Sequence, residues 1–377
     1  MRTTPQGSGP WTAIHAQRGS RRRYPQAESA EAPQVGGRRF PRHMDDRRPH
    51  AFQQRPSGLV VPVGLDPKGT RGPTRNQARG PRWRQCSWGS YVPSPTALDC
   101  IHQHILEQGS RIRSHGAVTG WASLRFRGAR YFDGAAAAFD GTFAPVPVVT
   151  GAALLRPDPR VAICREQLAA GERELVGGIW VTTPTRALFD EVRRHRRLRE
   201  AVADIEVAVA AGLLTFAEFD SFVSTQNPWT GVGFARDAVT LAGLGCWSRP
   251  EVGMALTWIL DAGLRRPLCN LPVFDLSGRL IAIVDLFDPE AGCVGEYQGA
   301  EHKDGSRHRK DVAREQGLRN AGLECFEVVG GDLADGDLVA RRMQAARQRS
   351  LFRPASERLW TLEQPGWWAA WAAARGL

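Results

Sequence analysis

Two acids, Asp285 and Glu296, flank a turn inside the stretch 279–302, which reads as two strands folded on one another. Leu280 to Phe287 is an apolar run interrupted only by Asp285. A run that is apolar on both faces suits a central strand covered from either side. Asp288-Pro289-Glu290-Ala291-Gly292 is turn chemistry, with Pro fixing one dihedral and Gly admitting positive φ. The chain returns as Cys293-Val294-Gly295-Glu296-Tyr297-Gln298, and alternation puts Glu296 and Gln298 on one face. A hairpin symmetric about Glu290/Ala291 sets Asp285 opposite Glu296, with Cβ atoms roughly 5 Å apart. Two carboxylates that close in an apolar setting repel each other and are costly to desolvate. A divalent cation such as Mg²⁺ relieves that cost, since it takes one or two carboxylates plus water and phosphate oxygens. The competing reading is that Asp285 caps the strand end, Glu296 faces solvent and the register differs.

The elements around this hairpin are those of an α/β protein. Ser248-Arg249-Pro250-Glu251 has the form of a capping box opening a helix with an apolar stripe of Val252, Ala255, Leu256, Ile259 and Leu260. Pro267 to Val273 reads as a strand that leads through Ser277-Gly278 to the hairpin. Ser306 to Ala321 is a charged helix ending at Gly322, Glu324 to Val329 a further strand, and Asp332 to Arg349 a last helix. The expected order is therefore αβββαβα over residues 245–350.

Upstream the organisation is looser. Residues 1–57 are rich in Arg, Pro, Gly and Gln and are expected to be disordered. Residues 58–95 carry a short helix over Pro73–Arg79 and a strand over Trp83–Pro93, read as a fragment of a winged helix. Residues 96–244 form an α+β region. Its helices are expected over Thr96–Glu107, Gly116–Arg127, from Thr183 (N-cap) and Pro184 (N1), Leu198–Ala211 and Phe216–Ser224. Short strands lie near Val146, Arg160 and Ile179. His102, His104 and His115 have no acid or Cys at ligand spacing and read as solvated or satisfied side chains. Residues 351–377, with Trp360, Trp367, Trp368 and Trp371, are expected to pack back on the last domain.

Composition narrows the partners. The formal charge of +11 favours an acidic partner, most simply nucleic acid. Residues 1–57 hold eleven Arg against four acids, a surplus of seven, which leaves four for the other 320 residues. Three Lys against 47 Arg points to high-GC codon usage. Seven scattered Cys without a CxxC pair argue against a disulfide framework or a zinc site and suit a reducing cytoplasm. No run of 18 apolar residues is present, so no membrane association is expected.

The element order, together with Asn270-Leu271-Pro272-Val273-Phe274-Asp275, Val284-Asp285-Leu286, Gly295-Glu296-Tyr297-Gln298-Gly299, His302 and Asp311-Val312-Ala313-Arg314-Glu315, resembles the PD-(D/E)xK nuclease superfamily. The closer likeness is to its very-short-patch-repair-like (Vsr-like) endonuclease domains of high-GC bacteria, over about 245–350. The segment Thr183-Pro184-Thr185-Arg186-Ala187-Leu188-Phe189-Asp190 is similar to abortive-infection (AbiEi-type) antitoxins, and 58–230 looks like the companion region of such proteins. The resemblance implies a restriction-endonuclease-like αβββαβ core and a metal-dependent DNA endonuclease. Asp285 and Glu296 would bind Mg²⁺ or Mn²⁺, and Glu251 would be an auxiliary acid unless its capping box is its whole role. Gln298 stands in the slot usually held by Lys. His302 would shuttle a proton or contact a phosphate, unless it is simply an exposed loop side chain. Arg307, Arg309, Lys310 and Arg314 would neutralise DNA phosphates, making binding salt-sensitive, or else form a solvated helix face. The alternative function is a catalytically inactive DNA-binding or antitoxin-like regulator on the same fold.

Overall fold

The computed structural model describes residues 51–112, 115–134, 143–299, 305–375 and 377, apart from the side chains of 305–312. The expected tail at 1–50 lies outside the described residues. Residues 51–57, placed in the same tail, belong instead to the folded part. Ala51 is fully buried, Phe52 bridges Ala129, and Arg55 lies 4.6 Å over the Phe126 ring. The segment is too short to show a period, which is why its sequence reads like the tail before it.

The front end contains a single 3-10 turn, Gln77–Arg79, and a hairpin of β1 (Trp83–Ser87) and β2 (Ser90–Pro93). A three-residue turn cannot serve as a recognition helix, so the expected winged-helix fragment is replaced by a hairpin packed on α1 (Ile101–Gly109). Arg84, on β1, is held by Glu107 at 2.7 Å.

Where a helix was expected over Gly116–Arg127, the chain makes strand β3 (Ala117–Val118) and then α2 (Gly120–Phe126). The break falls at Gly120, whose φ of +54° no helix interior accepts. Four more strands follow: β4 (Val146–Val149), β5 (Val161–Cys164), β6 (Arg173–Val176) and β7 (Ile179–Thr182). They form a mixed sheet in the order β5-β4-β3-β7-β6, with Ile105, Leu106, Ala122 and Phe126 from the two helices packed on it.

Next come α3 (Pro184–Val192), α4 (Leu198–Ala210), α5 (Phe216–Thr225) and α6 (Val232–Leu241), the last not anticipated. One apolar core runs from these helices into α7 (Arg249–Leu256) and on to Leu286, Cys293 and Phe326, across the 244/245 boundary expected between domains. Polar anchors reinforce the junction. Buried Glu206 on α4 accepts the backbone N–H groups of Gly243, Leu244, Gly245 and Cys246, and Asp204 holds Arg249.

The C-terminal part follows the expected order with one change. The single strand expected over Leu280–Phe287 is two. Strand β8 (Leu271–Asp275) pairs antiparallel with β9 (Leu280–Val284), while β10 (Leu286–Asp288) pairs with β11 (Cys293–Gln298). The break is at Asp285. Helix α8 (Gly305–Asn320) then leads to β12 (Glu324–Val329), parallel to β11, and α9 (Gly336–Arg349) follows. The Trp-rich end packs back through β13 (Trp360–Thr361) on β8, with Trp360 against Phe287 and Trp368, on α10 (Trp368–Ala373), against Phe274. No helix among the described residues is long and apolar enough to cross a membrane.

Candidate active site

Asp285 sits at the bend between β9 and β10, where its carboxylate leaves the ladder and accepts the Tyr297 backbone N–H at 2.8 Å. In the β10/β11 pairing, Leu286 lies opposite Gly295, Phe287 opposite Val294 and Asp288 opposite Cys293. One step further along this register is Asp285 opposite Glu296, the juxtaposition expected from the turn. The turn is built as its sequence suggests, with Asp288 Oδ1 accepting the N–H groups of Glu290 and Ala291, and Gly292 at φ +73°.

Glu296 does not face solvent; its side chain is 12% exposed. One oxygen, Oε2, pairs with the guanidinium of Arg314, while Oε1 is buried without a hydrogen-bond partner among the described residues. A buried carboxylate oxygen left bare costs about 1–3 kcal/mol or more, so it invites a ligand. Burial, then the charge of Asp285, pushes the Glu296 carboxyl up to about 8. Burial, then the charge of Glu251, raises Asp285 to about 6.

Glu251 reaches this pair electrostatically, but its oxygens are engaged. They accept from Trp247 N–H at 2.8 Å, Ser248 Oγ at 2.7 Å and Asn270 Nδ2 at 2.8 Å. Ser248 caps α7 as expected, although Glu251 closes the box on Trp247 N–H rather than on the cap residue itself. Gln298 turns its amide to Glu327 Oε1 on β12, at 3.3 Å. Arg314 pairs with Glu296, its side chain remaining about one-third exposed. Arg307, Arg309 and Lys310 lie on α8 with side chains outside the described residues, as does His302 entirely.

Two residues beside the pair, Asn270 and Glu327, and a separate cluster of three were not picked out from the sequence. Asn270, at φ +52°, bridges Glu251 and the Gly245 carbonyl. An Asn at a strand start is a signal for such a left-handed position. Glu327 faces the site only through the parallel pairing of β11 with β12. Glu191, His195 and Asp204 converge elsewhere, on α3, the α3–α4 loop and α4. His102 and His104, expected to be solvated or satisfied, are satisfied in part: the His102 ring bonds the Arg125 backbone and the His104 ring that of Ala144, while among the described residues the buried Nε2 of each has no partner. Burial draws His102 down to about 4 and also lowers His104.

The residues present fit a hard divalent cation. The donors are oxygens only, one is unpartnered among the described residues, and both acids are raised in pKa, which a cation beside them would reverse. The pH dependence of stability follows from the same facts. Both acids bind protons more tightly folded than unfolded, so their contribution is complete below about pH 4 and lost as pH rises through 6 and 8. For Asp285 alone, a rise from 3.8 to about 6 corresponds to about 3 kcal/mol. The metal-free melting temperature is expected to fall between pH 5 and 9 more steeply in the wild type than in Glu296→Gln. Parallel curves in calorimetry would contradict this.

Compared with protein-family models, with curated proteins and with solved structures, the chain has no match.

Proposed function

We propose that this chain is a metal-dependent DNA endonuclease of the Vsr-like kind on a PD-(D/E)xK core, with Asp285 and Glu296 as ligands for Mg²⁺ or Mn²⁺. The observation that carries the reading is Glu296 Oε1, buried and, among the described residues, unpartnered beside a second buried acid. A polar atom in that state is explained by a cation that satisfies it. The sequence of elements supports the same reading: α7, the β8–β11 strands, α8, then β12 parallel to β11. The formal charge of +11 suits a DNA partner, and seven free thiols suit a reducing cytoplasm.

The chain's own groups divide the work. The Tyr297 N–H fixes Asp285, and Arg314 fixes Glu296 while adding positive charge beside the place a phosphate would occupy. Glu251, locked by three donors, contributes field rather than a ligand atom. A bound Mg²⁺ would supply a lowered pKa for its water and polarisation of the phosphoryl oxygen.

The second reading is a non-catalytic DNA-binding or antitoxin-like regulator. Two observations favour it: Gln298 brings no positive charge and is turned to Glu327, and Arg314 occupies one Glu296 oxygen. Incubation with supercoiled plasmid in Mg²⁺, in Mn²⁺ and in EDTA separates them. The nuclease reading expects nicking with either metal and none in EDTA. Absence of nicking together with absence of any metal-induced rise in melting temperature would favour the regulator.

A further inference from the structure

We infer that Glu191, His195 and Asp204 form a second metal site, for a divalent transition ion of the Zn²⁺ class, which clasps α2, α3, α4 and α7 together. Each of the three offers one ligand atom, and these atoms lie within 4.8 Å of one another. The set differs in kind from the Asp285/Glu296 pair. It contains an imidazole nitrogen, which suits Zn²⁺ and its neighbours rather than Mg²⁺. Three protein ligands with the His195 side chain 21% exposed leave a direction open for water.

The surroundings of each ligand are those expected of an oriented donor. Glu191 Oε2 accepts the Trp121 backbone N–H at 2.8 Å, which fixes one oxygen and leaves the other. The approach depends on Gly120. A Cβ there would stand 2.6 Å from Glu191 Oε2, so the carboxylate occupies space that a side chain would fill. Asp204 is 2% exposed; Arg249 holds its Oδ1, and Oδ2 is turned to His195 Nε2 at 2.5 Å. On the other side of the ring, His195 Nδ1 lies 3.7 Å from Glu200 Oε2. That separation is beyond hydrogen-bond length, so Glu200 acts as a negative charge behind the ring, favouring the proton on Nδ1 and leaving Nε2 to ligate. In the metal-free state a proton bridges Nε2 and Asp204; the ion takes that position and the proton leaves.

The cluster is made of residues other than those of the proposed cleavage site. Its residues lie on α3, the α3–α4 loop and α4, and their link to α7 runs through Arg249, at the first turn of that helix. A cation here would brace the N-terminus of the helix that carries Glu251, without touching Asp285 or Glu296.

The test uses the full chain, stripped with EDTA, dialysed, and loaded with ZnCl₂ or CoCl₂. One equivalent of Zn²⁺ is expected to survive gel filtration in the wild type and in Asp285→Asn. It is expected to be lost in Glu191→Gln and in His195→Ala. Glu200→Gln, acting behind the ring, is expected to weaken binding about tenfold. Cobalt should give visible ligand-field absorption in the wild type that Glu191→Gln removes. Retention of the ion in Glu191→Gln and His195→Ala, or its loss in Asp285→Asn alone, would overturn the proposal. So would a wild type that retains no Zn²⁺. Glu191→Gln keeps the size of the side chain and its bond from Trp121, so its loss of metal cannot be ascribed to a failed fold when its circular dichroism matches the wild type.

Discussion

Asp285→Ala and Glu296→Ala are each expected to lower metal-dependent plasmid nicking by about three orders of magnitude or more, equivalent to about 4 kcal/mol of transition-state stabilisation. Each removes one of the two carboxylates that the proposed site provides; of the neighbouring acids, Glu251 already accepts from three donors and Glu327 holds the Gln298 amide. The isosteric Glu296→Gln keeps a polar side chain on β11 but cannot carry the charge a cation needs, so it should lose cleavage as fully. Its stability should move the other way. At pH 8 the wild-type carboxyl, raised to about 8, is half ionised at a buried position. A neutral amide avoids that cost, and Arg314 (34% exposed) keeps access to water. The metal-free Glu296→Gln protein is therefore expected to melt no lower than the wild type at pH 8. Folded but inactive is the signature of a site residue. Cleavage that survives in both alanine variants would place the activity elsewhere or in a contaminant.

The pairing of the two acids was legible in the sequence to the extent that it depends on local rules. The five-residue turn fixes the pairing of β10 with β11, and counting outward from it puts Asp285 beside Glu296. Ser248 announces the start of α7, and Gly322, at φ +78°, its counterpart at the end of α8. What was not legible depends on contacts between distant elements. The pairing of Arg314 with Glu296 spans 18 residues, and α8 otherwise reads as a solvated face. The division of one apolar run into two strands follows from Asp285 preferring the Tyr297 amide to its place in the ladder. The Glu191, His195 and Asp204 cluster needs α3 and α4 packed before it exists, and nothing in its spacing distinguishes it from a surface charge pattern.

Arg186→Met is expected to destabilise the protein by about 3–5 kcal/mol, the usual cost of removing one partner of a buried ion pair. The Thr183–Asp190 segment, which carries the antitoxin likeness, directs its polar groups inward. Thr183 and Pro184 open α3, and Arg186, fully buried, reaches Glu172 at 2.6 Å and Asp190 at 3.2 Å while lying 4.5 Å over the Trp229 ring. Asp190, equally buried, also takes Thr119 Oγ1 at 2.7 Å and Arg193 at 2.9 Å. Methionine fills much of the volume but brings no charge, so Asp190 keeps Arg193, the more distant Arg194 and the Thr119 hydroxyl but loses one buried cation, and Glu172 loses its cation. Urea melts should show the lower midpoint with an unchanged slope. Paired replacement of Arg186 by Met and Glu172 by Gln should recover part of the loss, because it removes the stranded acid as well. Residues engaged in this way are unavailable to an external partner. A stability loss of this size in Arg186→Met, with DNA affinity unchanged once the variant is folded, would assign the segment to the core. A loss of DNA affinity without loss of stability would assign it to recognition instead.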